Sequence, residues 1–193
     1  MKKLTGVQVL KKLLEGNNRF ISGKTIHPNQ TPKHRLKLAK AQHPVAVIVC
    51  CSDSRVCPEI IFDMGLGDLF EIRLAGNIVG DVSIGSIEYA VKYLNVGLIL
   101  VLGHKGCGAV NAAMQKAKMP GHIGSLTEAI KPALKKAQKK QGDLFDNTVK
   151  SNVELFVDKL KKSKPILSKA VNARKLKIAG AVYDWHTGLV TLI

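Results

Sequence analysis

The chain has 193 residues, a formal net charge of +16, 46% hydrophobic residues and only 5% aromatic residues. That length suits one domain able to bury a substantial core. No apolar stretch reaches the length of a membrane span. Behind the basic start Met1-Lys2-Lys3-Leu4-Thr5 there is neither a sustained apolar run nor a small-residue cleavage site, so no secretory leader is expected.

The positive charge lies in pairs such as Lys11-Lys12, Lys135-Lys136, Lys139-Lys140 and Lys161-Lys162. Aromatic residues do not interleave with these pairs. They therefore read as solvated helix faces, with neither a nucleic acid nor a membrane as partner. Four cysteines, Cys50, Cys51, Cys57 and Cys107, do not make a disulfide framework. Cys50 and Cys51 are adjacent and point to opposite faces of a strand. Reduced thiols in a cytoplasmic protein are expected.

In chain order, Thr5-Gly6-Val7-Gln8 has the spacing of a capping box. Val7, Leu10, Leu13 and Leu14 follow as the apolar stripe of a first helix. Thr31-Pro32 opens a second helix, with proline at its first position, predicted to run to Gln42. Val45-Ala46-Val47-Ile48-Val49-Cys50 is an unbroken apolar run, the signature of a strand buried on both faces. Pro58 opens a short helix over Glu59 to Asp63. Leu69 to Leu74 reads as the next strand, ending in Ala75-Gly76-Asn77. Asp81 or Ser83 caps a helix carrying Ile84, Ile87, Val91 and Leu94 on one face. Leu98 to Leu102 is a second buried strand, followed by Gly103-His104-Lys105-Gly106-Cys107-Gly108 and a helix over Ala109 to Ala117. Met119 to His122 is a turn. Helical patterns follow around Leu126 to Lys140, Val149 to Lys162 and Ile166 to Ala173, punctuated by Pro132 and Pro165. Lys177 to Tyr183 is a last core strand, which Asp184 to Gly188 turns into Leu189 to Ile193.

Two buried strands thus end in reactive loops. Cys51-Ser52-Asp53-Ser54-Arg55 follows the first; His104-x-x-Cys107 follows the second. In open α/β sheets, ligands bind beyond the carboxyl ends of strands. If these strands are neighbours, Cys51, Asp53, His104 and Cys107 converge. Two thiolates and an imidazole suit zinc, with water or Asp53 at the fourth corner. Magnesium and calcium prefer oxygen shells. Cys57 is a possible ligand in place of Cys51, but reads better as a small buried hydrophobe. Gly103-x-x-Gly106-x-Gly108 lacks the Lys-Ser/Thr ending of a phosphate loop. Cys51 and Arg55 are separated by too few residues for a phosphatase loop.

The paired motifs Cys51-x-Asp53-Ser54-Arg55 and His104-x-x-Cys107-Gly108 resemble those of the β-class carbonic anhydrases. The resemblance covers nearly the whole chain and extends to Gln42, Phe70, Asn77 and Tyr89. It implies an α/β fold: a mainly parallel four-stranded sheet with an added antiparallel edge strand, flanked by helices. It implies a single domain over residues 1–193, with N-terminal helices (about 4–42) packing across a homodimer or a dimer-based tetramer. The activity implied is reversible hydration of carbon dioxide to bicarbonate. Zn2+ would be held by Cys51, His104 and Cys107, and by Asp53 only in a closed state. Asp53 and Arg55 would be catalytic. Gln42, Phe70, Tyr89 and Gly108 would contact substrate. The matches are to the open-site branch of the family. Two other readings share the zinc site: a hydrolase of carbon disulfide or carbonyl sulfide, and a non-catalytic protein with a closed structural zinc.

Overall fold

The computed structural model describes residues 4–115 and 119–193. The basic start Met1–Lys3 and the last residues of the helix expected to reach Ala117 lie outside the described residues.

Five strands form one sheet in the order β2-β1-β3-β4-β5. They are β1 (Ala46–Cys50), β2 (Leu69–Arg73), β3 (Leu98–His104), β4 (Lys177–Tyr183) and β5 (Val190–Leu192). β1 pairs in parallel with β2 and β3, and β3 with β4; only β5 is antiparallel. This is the expected sheet. From β1 the chain goes first to one side, forming β2, and then crosses to the other, forming β3. The carboxyl ends of β1 and β3 therefore flank a topological switch point, where such sheets open a crevice.

Alternation along the strands builds two cores. Val47, Val49 and Cys51 face one side with Ile99, Val101 and Ile178. Ala46, Ile48 and Cys50 face the other with Leu98, Leu100, Leu102 and Ala181. Every residue of β1 and β3 is buried, which is why Ala46–Cys50 and Leu98–Leu102 are continuously apolar. Each of Val47, Ile48 and Val49 contributes about 1.5–3 kcal/mol by leaving water.

Helix α1 (Gly6–Ile21) covers the Ile48 side and is capped as its sequence predicts. The Gln8 amide N–H donates to Thr5 Oγ1, and the Thr5 amide N–H donates to Gln8 Oε1. Its buried face is Val9, Leu10, Leu13 and Asn17; Val7, expected in the stripe, is exposed. At 100° per residue Val7 lies beyond the edge of the buried face, about 120° from Leu13. Asn17 ties α1 to the rest: its side-chain amide donates to the carbonyls of Ile61 and Gly188, and Val190 N–H donates to its oxygen.

Helix α2 (Pro32–Leu38) ends before Gln42. Pro44 disfavours the helical region for His43, and β1 must start at Ala46. The short helix α3 (Pro58–Ile61) and helix α4 (Asp81–Tyr93) follow as expected. Ser83, not Asp81, completes the α4 start by accepting from Gly80 N–H at 2.8 Å. Helix α5 (Gly108–Met114) leads to α6 (Ile123–Ala137), α7 (Leu144–Lys162) and α8 (Ile166–Asn172). Pro132, expected to interrupt, lies inside α6. It is exposed, while Ile130, Ala133 and Ala137 are buried; that packing outweighs one lost amide bond. α7 begins earlier than its apolar pattern, because Asp143 accepts the Asp146 N–H at 2.7 Å.

Candidate metal centre

β1 delivers Cys51 to the crevice immediately after its last residue, β3 delivers His104 as its last residue, and Cys107 caps α5. All three are buried, and their ligand atoms lie within 4.8 Å of one another. Neither Asp53 nor Cys57 belongs to this cluster. Cys57 caps α3 instead. Cys50 points into the opposite core.

The tautomer of His104 is set locally. Its Nδ1 lies 2.9 Å from the carbonyl oxygen of Lys105. A carbonyl only accepts, so Nδ1 carries the proton and Nε2 keeps its lone pair. That Nε2 is buried without a hydrogen-bond partner among the described residues. An orphaned buried acceptor costs free energy that a cation would relieve.

The thiols complete the case. Cys51 Sγ receives the amide N–H of Gly76 at 3.3 Å and of Asp53 at 3.4 Å. The Cys107 thiol beside it, helped by these amides, lowers Cys51 to about 4 against the effect of burial. Cys107 is pushed up in turn, first by the Cys51 sulfur and then by burial. A divalent cation bound between the two sulfurs would stabilise both as thiolates. Two sulfurs and one imidazole fit zinc.

Asp53 turns to Arg55. Arg55 Nε donates to Oδ1 at 3.0 Å and Nη2 to Oδ2 at 2.8 Å; the Arg55 amide N–H also reaches Oδ1 at 3.0 Å. The Arg55 hydrogen bonds hold the Asp53 carboxyl at about 2. This is a bidentate fork. Arg73, at the end of β2, fixes the loop from outside: its Nη2 donates to the Asp53 carbonyl at 2.9 Å.

Sequence reasoning missed Trp185, the only tryptophan. It follows β4, next to β3, so its place beyond a strand's carboxyl end was a usable signal. Arg55 Cζ lies 3.5 Å from the Trp185 ring centroid. The His104 ring centroid is 5.5 Å from the indole, tilted by 48°. Gly106 has φ +63°, and a Cβ there would sit 2.3 Å from Trp185 Cζ2. Only glycine satisfies both the left-handed turn and the ring's approach.

The remaining expected residues divide. Gly108 opens α5 beside Cys107, with open space where a Cβ would project. Phe70 lies on β2 in register with Val47, packed against the core on the Cys51 side. It sits four positions back along the strand, about 13 Å by strand rise. Gln42 precedes β1 and is exposed, so within one chain it stands at the opposite end of the sheet from Cys51. Tyr89 is 50% exposed on α4, its ring 5.4 Å from that of Tyr93. A single chain does not bring Gln42 to the cysteine–histidine cluster.

The fold and the cluster define an α/β protein with a buried Cys–His–Cys group that could hold a metal at its switch point. The carbonic anhydrase family profile matches residues 46–190. Carbonic anhydrase 2 from Mycobacterium tuberculosis is 40% identical over 190 residues, covering 96% of this chain and 92% of its own. The carbonic anhydrase of Mycolicibacterium smegmatis is 38% identical with the same coverage, 96% and 92%. Among solved structures, a tetrameric β-carbonic anhydrase from Sordaria macrospora superposes with TM-score 0.77 at 27% identity, covering 96% of each chain. A Coccomyxa β-carbonic anhydrase in complex with acetazolamide gives TM-score 0.77 at 32% identity, covering 95% of this chain and 86% of that one. The chain belongs to the β-carbonic anhydrase family.

Proposed function

We propose that this chain catalyses the reversible hydration of carbon dioxide to bicarbonate, with Zn2+ held by Cys51, His104 and Cys107. The observation that carries the reading is the buried Cys51–His104–Cys107 cluster, with ligand atoms within 4.8 Å of one another and a His104 Nε2 that has no hydrogen-bond partner among the described residues. Zinc bound there would supply a Lewis acid able to bring the pKa of water to about 7.

The chain's own residues do the aiming. Asp53 Oδ1 is occupied by two donors from Arg55, whereas Oδ2 receives one. Oδ2 therefore keeps a lone pair for the hydrogen of the attacking water. With Arg55 holding the carboxylate ionised, Asp53 would orient that water while staying clear of the residues that would hold the metal. The closed structural site would need Asp53 turned the other way, so the fork favours an open, catalytic site. Gly108 leaves room beside Cys107 for a small substrate.

Oligomerisation is part of this reading. α2 has no buried residue. Val7 on α1 is 63% exposed and Leu36 on α2 70%. These faces support N-terminal helices that pack across a second copy in a dimer or dimer-based tetramer. Gln42, Phe70 and Tyr89 would then serve a partner's site. Four free cysteines support a reducing, cytoplasmic setting.

The test is metal removal and reloading. Protein stripped by a chelator should lose carbon dioxide hydration and regain it at one zinc per chain. Hydration that persists in metal-free protein would refute the assignment.

A further inference from the structure

Arg55 poses a problem of its own. Its side chain is 58% exposed, and exposed ion pairs hold long side chains weakly. Yet the fork on Asp53 needs one guanidinium orientation. Something besides Asp53 must select it.

We propose that Trp185 is a positioning residue for carbon dioxide hydration: its indole face holds the Arg55 guanidinium on Asp53, and so keeps the carboxylate turned away from the Cys51–His104–Cys107 cluster. This rests on the reading of Asp53 and Arg55 given above, and adds the residue that orients them.

The indole can do this because it is fixed on several sides. One edge lies over Gly106, where no side chain would fit. The Lys105 amide N–H donates to the Tyr183 carbonyl at 2.9 Å, tying the residues just before Trp185 to the loop after β3. Asp184 Oδ1 accepts the His186 N–H at 2.9 Å, shaping the turn around Trp185. The ring then offers its face to Arg55 at 3.5 Å. A guanidinium over an indole face is a favourable cation–π arrangement, and tryptophan is the best partner for it. Arg55 is thereby held between a π face and a carboxylate. Asp53 released from Arg55 would be free to approach the cluster.

Trp185→Phe keeps a π face; Trp185→Leu keeps apolar cover over Gly106 but removes that face. Both should retain one zinc per chain. Trp185→Phe should keep kcat within about two-fold, while Trp185→Leu should lose about ten-fold in kcat with KM nearly unchanged. Equal kcat in the two variants would overturn the proposal. So would loss of zinc in parallel with rate, which would mean that Trp185 acts through His104 packing. A second measurement does not depend on turnover or on a Trp185 variant folding. In the zinc-loaded wild type, emission from this lone tryptophan should be shielded from acrylamide. Arg55→Ala should red-shift it and raise the quenching constant about two-fold or more. Unchanged emission and quenching would overturn the proposal. If the wild type hydrates no carbon dioxide, the functional reading fails, and the fluorescence comparison still decides whether Arg55 rests on Trp185.

Discussion

The guanidinium of Arg55 grips both oxygens of Asp53, Nε on Oδ1 at 3.0 Å and Nη2 on Oδ2 at 2.8 Å. With Asp53 held in this fork, the group that could hold a metal is Cys51, His104 and Cys107 without Asp53. Arg55→Ala is therefore expected to keep its zinc while kcat falls about 10²-fold or more, the range for losing a preorganised polar group. Arg55→Lys should recover little, because an ammonium does not span both oxygens. Metal analysis alongside stopped-flow kinetics checks both. Wild-type turnover in Arg55→Ala would remove the fork from the mechanism.

The cluster distinguishes among the cysteines. Cys51→Ser, Cys107→Ser and His104→Ala should each lose most of their zinc, checked by metal analysis after dialysis. Cys57→Ser should retain zinc and rate, since Cys57 caps α3 outside the cluster and serine is a good cap. Zinc loss in Cys57→Ser would reinstate it as a ligand.

Gly106→Ala combines a strained left-handed backbone with a Cβ 2.3 Å from Trp185. It should cost about 1–3 kcal/mol in urea unfolding. An unchanged midpoint would show that the indole is not seated against this turn.

The Asp53 carboxyl sits at about 2, mainly through the Arg55 hydrogen bonds. A folded-state pKa depressed below the ordinary value of about 3.9 gives stability that is present above about pH 4. That stability disappears as pH falls toward about 2, and solvent screening keeps it on the order of 1 kcal/mol. Asp53→Asn should flatten this part of an acid-unfolding curve.

Glu71 behaves in the opposite sense. Burial, then its hydrogen bond and charge interaction with Glu59, raise it to about 8 despite Arg73. A raised carboxyl pKa favours folding below the ordinary value near 4.3 and opposes it progressively as pH climbs toward 8. Glu71→Gln should therefore raise the urea midpoint relative to wild type at pH 9, with little difference at pH 4. A midpoint no higher than wild type at pH 9 would contradict this environment.

Much of this was legible in the sequence. The continuous apolar runs gave β1, β3 and β4 because a strand buried on both faces has no polar position to spare. β4 spans Lys177–Tyr183 as predicted. Cys51, His104 and Cys107 were visible because each follows such a run directly or within five residues. What local pattern did not reveal depends on distant contacts. α2 stops early because β1 must begin, and Pro132 continues a helix because Ile130 and Ala133 are buried beneath it. Trp185 reaches Arg55 only through the β3–β4 pairing. Gln42 came only from the resemblance: it precedes β1, away from the strand's carboxyl end, and no local pattern marks it as a site residue.

The central claim is tested most directly by stopped-flow hydration of carbon dioxide by the zinc-loaded protein from neutral to alkaline pH. The account predicts a rate that rises with pH and is abolished by a zinc-binding anion. No hydration at any pH, with one zinc per chain, would contradict it.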